Sequence, residues 1–137
     1  AEKHWIECWD RNVVPLTRSA KAQRTDLFGF MRFVSTQKSE FVRHPCPVLI
    51  LFTDGQQVGD GYNMERRPPS QADMERAEKC DMVPNLRDVR LQFVGVTPTH
   101  GIDNGHWRKI QAFWKEYGRT AGVKSVSVSS ERTISIR

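Results

Sequence analysis

A continuous apolar block, Val48-Leu49-Ile50-Leu51-Phe52, stands between Pro47 and Thr53-Asp54-Gly55. A run that is apolar at every position predicts a strand over 47–53 buried on both faces, as in the interior of a parallel sheet. The glycine after it permits a tight exit turn. Before it, Leu27, Phe30, Met31 and Val34 recur at helical spacing behind Thr25 or Asp26 as N-cap, which predicts a helix from about Asp26 to Gln37. Beyond the block, 56–70 reads as a long loop carrying Gly59, Gly61, Pro68 and Pro69. Ser70-Gln71-Ala72-Asp73 then has the form of a capping box and opens a short helix to about Lys79, with Met74 and Ala77 inward.

The segment Val89-Arg90-Leu91-Gln92-Phe93-Val94-Gly95-Val96 alternates and then turns continuously apolar, which predicts a second interior strand. A loop from Thr97 to Gly105 leads into a helix whose apolar stripe is Trp107, Ile110, Trp114, Tyr117 and Ala121, closed by Gly122. Val123, Val126 and Val128, then Ile134 and Ile136, predict a short strand pair about the turn Ser129-Ser130-Glu131. At the other end, His4 to Trp9 and Val13 to Leu16 predict a hairpin about Asp10-Arg11-Asn12. Helix and strand alternating in this order specify an α/β fold: a Rossmann-like wound, mostly parallel sheet flanked by helices, with right-handed crossovers. The 137 residues are the size of one domain, spanning 1–137.

Composition changes this picture little. The net charge of +5 comes from 21 Lys and Arg interleaved with 16 Asp and Glu, a mild bias toward acidic partners. No window holds the roughly 20 apolar residues of a membrane span, so the chain reads as soluble. Cys8, Cys46 and Cys80 form no CxxC pair and indicate neither a zinc framework nor a complete set of disulfides. The compartment stays open.

In wound sheets, ligands collect beyond the carboxyl ends of the strands, which places Asp54 at a candidate site. Turn capping is the alternative role for an Asp-Gly pair there. Three pieces of the chain carry a resemblance: Arg24-Thr25-Asp26-Leu27 opening a helix, Leu49 to Gly55 ending a strand, and Phe93-Val94-Gly95-Val96 as the next strand. Together they resemble a von Willebrand factor A-like domain, and Trp107 to Gly122 is similar to the late helix of bacterial members. The resemblance implies a protein-interaction domain in which a divalent ion, usually magnesium, sits at the top of the sheet. It assigns Thr25 and Asp54 to that metal site. The family's main ligands lie in an Asp-x-Ser-x-Ser motif on its first strand, and no such motif stands in this chain. The usual first strand and helix are therefore expected to be missing and the metal site degenerate. No cofactor is expected from this chain alone, with magnesium the ion if the site is completed.

His100, Asp103 and His106 fall within seven positions and invite a zinc or acid-base reading, but the spacing fits no tight zinc pattern and Asp103 or Asn104 serves better as a helix N-cap. No nucleophile motif or phosphate loop is present, so no enzyme is indicated. Two function classes compete. The first is a protein-interaction domain whose partner meets Thr25, Asp54, Asp60, Tyr62, His100 and Asp103 at one edge of the sheet. The second is nucleic-acid binding through Arg66, Arg67, Arg108, Lys109, Lys115, Arg119 and Lys124, which Glu65, Glu75, Glu78 and Glu116 dilute.

Overall fold

The computed structural model describes residues 25–41, 43, 47–97 and 103–131. The hairpin expected between His4 and Leu16 and the strand expected at Ile134 and Ile136, with His100, Cys8 and Cys46, lie outside these residues. Helix α1 (Leu27–Thr36) is followed by a short α2 (Lys38–Phe41) and strand β1 (Val48–Phe52). A two-residue pair, β2 (Val58–Gly59) and β3 (Tyr62–Asn63), precedes α3 (Gln71–Lys79), β4 (Arg90–Val94), α4 (Asn104–Thr120) and β5 (Ser125–Ser129). The main sheet has the order β1-β4-β5, and both of its pairings are parallel. The fold is mixed α/β.

Local chemistry sets most of these boundaries. Asp26 caps α1 by accepting the Gly29 N–H at 2.8 Å. Ser70 and Asp73 close the full capping box on α3. At the far end of α4, Gly122 adopts φ +75°, and the amides of Gly122 and Val123 donate to the carbonyls of Arg119 and Gly118. That is a complete Schellman ending, which a glycine makes without steric cost. The stretch 56–70 is less irregular than expected. Asp60 and Gly61 both have positive φ and join the paired residues Gly59 and Tyr62, a two-residue hairpin turn that Asp-Gly favours.

One face of the main sheet meets the helices. Leu51, Leu91 and Phe93 are buried on it, with Leu49, Val126 and Val128 packed against the same core. Gly118 lets α4 approach β5: a Cβ there would lie 2.9 Å from Val126. The inward face of α4 is Ile110, Phe113, Trp114 and Tyr117, with Trp107 only half-buried at its edge. Trp114 is fully buried, with ring centroids 5.0 Å from Phe93 of the sheet and 5.6 Å from Phe28 of α1. Tyr117 stacks on Phe28 at 5.5 Å and donates its hydroxyl to the Met82 carbonyl.

The opposite face corrects the expectation that β1 is buried on both sides. Leu51 is its one buried residue, and Phe52 is 62% exposed. The in-register ladder places Val48, Ile50 and Phe52 beside Arg90, Gln92 and Val94, and these beside Ser125, Ser127 and Ser129. Polarity therefore rises from β1 to β5 across that face, as on a half-buried sheet. An apolar run alone does not distinguish an interior strand from one at the border of the described sheet, and here β1 is at that border. On α1, Phe33 is likewise 61% exposed.

Truncating Trp114 removes the largest fully buried side chain and leaves the Phe93, Phe28 and Tyr117 rings facing a void. Trp114→Ala is expected to destabilise the domain by about 3 to 5 kcal/mol, read as a shift of the urea unfolding midpoint at constant slope. An unchanged midpoint would remove Trp114 from the core.

Candidate functional site

Parallel strands and the helices that follow or precede them bring the end of β1, the end of β4 and the starts of α1 and α4 to one edge of the sheet. Three side chains bind the segments of that edge together. The Trp114 indole donates to the Gly55 carbonyl at 2.6 Å, fixing the turn after β1 to the middle of α4. The Trp107 indole donates to the Val96 carbonyl just after β4. Gln57 is fully buried, and its Oε1 accepts the Leu27 and Phe28 amides at 2.6 and 3.2 Å. Those amides belong to the first turn of α1, whose donors have no partner within the helix. The Val58 amide adds a bond to the Thr25 carbonyl at 3.0 Å.

Thr25 and Asp54 are thus held on linked segments. Thr25 is exposed and meets the loop through its backbone. Asp54 is half-buried, and its Oδ1 accepts the Gln56 N–H at 3.0 Å, while the Thr53 hydroxyl accepts the Gly55 N–H. Both are side-chain turns that stabilise the exit from β1. A magnesium ion takes six oxygens in near-octahedral geometry, several of them from water, and is usually anchored by carboxylates. Thr25 and Asp54 bring one hydroxyl and one carboxylate, and the carboxylate already holds its own turn. Among the described residues no three His, Cys, Asp or Glu side chains group as a metal would require. The pair does not fit a magnesium ion unaided.

The remaining site residues separate. Asp60 is exposed at the tip of the β2–β3 turn. Asp103 is exposed and caps α4 by accepting the His106 N–H at 2.7 Å. His106 is committed to the same scaffold, its Nε2 lying 2.7 Å from the Met64 carbonyl. Tyr62, placed by sequence on the partner-binding edge, is buried instead. Its ring lies edge-on to Phe28 at 4.8 Å, its hydroxyl donates to the Asp73 carbonyl, and the Arg76 guanidinium sits over it at 4.0 Å. The correction is physical: an aromatic residue next to a tight turn becomes the apolar anchor of the hairpin. His100 lies outside the described residues.

Sequence reasoning missed Gln57, because a single glutamine in a polar stretch has no periodic signal. Arg67, which it placed among cations for nucleic acid, is instead paired with Asp73. That guanidinium grips Asp73 with two bonds of 2.7 and 2.6 Å, beside bonds from the Ser70 amide and hydroxyl. The Arg67 bonds hold the Asp73 carboxyl far below the usual carboxylate range, against the opposing effect of burial.

No family model matches the chain, and no curated protein or solved structure matches it significantly.

Gln57→Ala is expected to lower stability by about 1 to 3 kcal/mol by leaving buried helix amides unpaired, measured by thermal unfolding with circular dichroism. Asp73 gives the domain a pH-dependent stabilisation in the acid range. Because its folded pKa lies below the unfolded value, its stabilisation is complete above the ordinary carboxylate pKa of about 3.9 and is lost as pH falls below it. Asp73→Asn should be less stable near neutrality and show a flatter decline of unfolding midpoint in acid. An identical acid slope would exclude this ion pair as its source.

Proposed function

We propose that this chain is a von Willebrand factor A-like protein-interaction domain that binds its partner at the carboxyl edge of its sheet without a working metal site. One observation carries the reading: Gln57, Trp114 and the Thr25 carbonyl tie three segments together at this edge, with Asp26 and Asp103 exposed at the helix starts and Asp60 exposed at the tip of the adjoining hairpin. These acids face outward on a chain of net charge +5. An edge bearing separated carboxylates suits a protein surface with matching Lys or Arg, because complementary charge speeds encounter and fixes register. Asp54 contributes by holding the shape of the turn beneath them.

Nucleic-acid binding is the weaker reading. Three of its seven cations are already matched to acids: Arg67 to Asp73, Arg119 to Glu116 at 2.5 Å and Lys124 to Asp88 at 3.7 Å. A phosphate-binding face needs such cations free. Among the described residues, no helix is long and apolar enough to cross a membrane.

Two measurements test the proposal. Titration calorimetry with magnesium and manganese is expected to give no saturable heat, and saturable binding lost in Asp54→Ala would replace the metal-free reading with a metal-dependent one. On an array of immobilised basic peptides, the wild-type chain is expected to be retained and the Asp60→Asn, Asp103→Asn variant, which keeps the α4 cap, to lose about tenfold in affinity at unchanged circular dichroism. Preferential capture of a labelled oligonucleotide with a steep salt slope would sink the proposal.

A further inference from the structure

A groove of about 620 Å³ runs between the segment leading into α3 and the outer flank of α4. Its floor is apolar, formed by Pro69, Met74 and Phe113, all buried, with Ala112 at the surface between them. Lys109, Lys115 and Arg119 stand on its α4 side, all exposed. Among the described lining residues Glu116 is the one acid, and it is taken by Arg119 at 2.5 Å. Lys109 and Lys115 make no ion pair among the described residues. The groove therefore has an apolar floor and two uncompensated positive charges at its rim.

Its shape follows from helix geometry. Lys109, Ala112, Phe113 and Glu116 occupy positions i, i+3, i+4 and i+7, one stripe along α4, and the stretch from Lys109 to Arg119 is about 15 Å long at 1.5 Å per residue. A length of three helical turns accommodates a peptide segment lying along α4. Among the described lining residues Phe113 is the single aromatic ring, so successive bases have no row of rings on which to stack.

We propose that this groove docks an acidic peptide segment of a partner protein, with apolar side chains seated on Pro69, Met74 and Phe113 and carboxylates on Lys109 and Lys115. The groove lies on the helical wall, apart from Asp60 and Asp103, and its role stands independently of the edge reading above. Charge complementarity selects the occupant: the edge carries exposed acids and the groove unpaired bases, so the two surfaces take partners of opposite sign.

The test is fluorescence anisotropy of the purified chain with a fluorescein-labelled peptide of glutamate and leucine in amphipathic helical order. Saturable binding is expected. It should weaken about tenfold in Lys109→Glu, Lys115→Glu, which reverses the rim charges, and in Ala112→Trp, which fills the floor and leaves the charges intact. The Lys109→Arg, Lys115→Arg variant should retain binding, and so should Asp60→Asn, Asp103→Asn, which neutralises the acids of the other surface while keeping the α4 cap. All four changes fall on exposed positions, and circular dichroism checks that each variant folds. Failure of the peptide to bind the wild-type chain would overturn the proposal. Equal binding of the same peptide with glutamine for glutamate, or its displacement by oligothymidylate at lower concentration than by unlabelled peptide, would overturn it as well.

Discussion

The hydrogen bond from the Trp114 indole to the Gly55 carbonyl is the constraint on which the arrangement turns. Trp114 is the meeting point of sheet and helices, touching Phe93, Phe28, Phe113 and Tyr117. A buried indole must satisfy its N–H, and the acceptor it finds is the first carbonyl beyond β1 after Asp54. Packing deep in the core thereby sets the position of the turn outside it. Two residues later Gln57 makes a second such tie in the opposite sense, its side-chain carbonyl accepting the Leu27 and Phe28 amides of α1. A glutamine at this depth is tolerated because its oxygen replaces water on donors that the helix itself leaves unpaired. The outer edge is therefore tied to the core by buried hydrogen bonds.

Elements governed by local chemistry were legible in the sequence. The Asp26 cap, the Ser70 and Asp73 box, the Asp103 cap and the Gly122 ending all appear where residue types demand them, because each interaction spans only a few residues. The parallel alternation of strand and helix followed from the same patterns. Surroundings were not legible. Val48 to Phe52 reads as a strand, but whether a second layer covers it depends on what packs across the sheet, and its composition alone suggests more burial than β1 has. Tyr62 and Gln57 reversed the usual assignment of residue types. The tyrosine beside a turn went inward with its hydroxyl satisfied by the Asp73 carbonyl, and the amide side chain in a polar loop became fully buried. The Gln57 bonds join residues about 30 positions apart and the Tyr62 bond residues 11 apart, beyond the reach of periodicity.

The candidate metal residues show how spacing can be right while chemistry is incomplete. Thr25 and Asp54 are brought onto joined segments, as a helix followed by a parallel strand requires. The Asp54 carboxylate nevertheless serves the Gln56 amide, and no cluster of further acids or histidines gathers with it among the described residues. One carboxylate holding a turn has a structural role whether or not an ion is near. Position at a sheet edge is thus a property of topology, and coordination is a property of donor number.

Charge is arranged by a similar economy of position. Helix starts attract acids, since a carboxylate both accepts the free amides and offsets the positive end of the helix dipole. In a parallel α/β unit the starts of α1 and α4 share one edge, so Asp26 and Asp103 appear together there as a consequence of topology. On the flanks, Arg67 and Arg119 are neutralised by their neighbours, and among the described residues Lys109 and Lys115 are not. A chain with an excess of only five positive charges can therefore present surfaces of opposite sign. The net charge understates what either surface can bind, because each partner responds to the local field within about 8 Å at physiological salt.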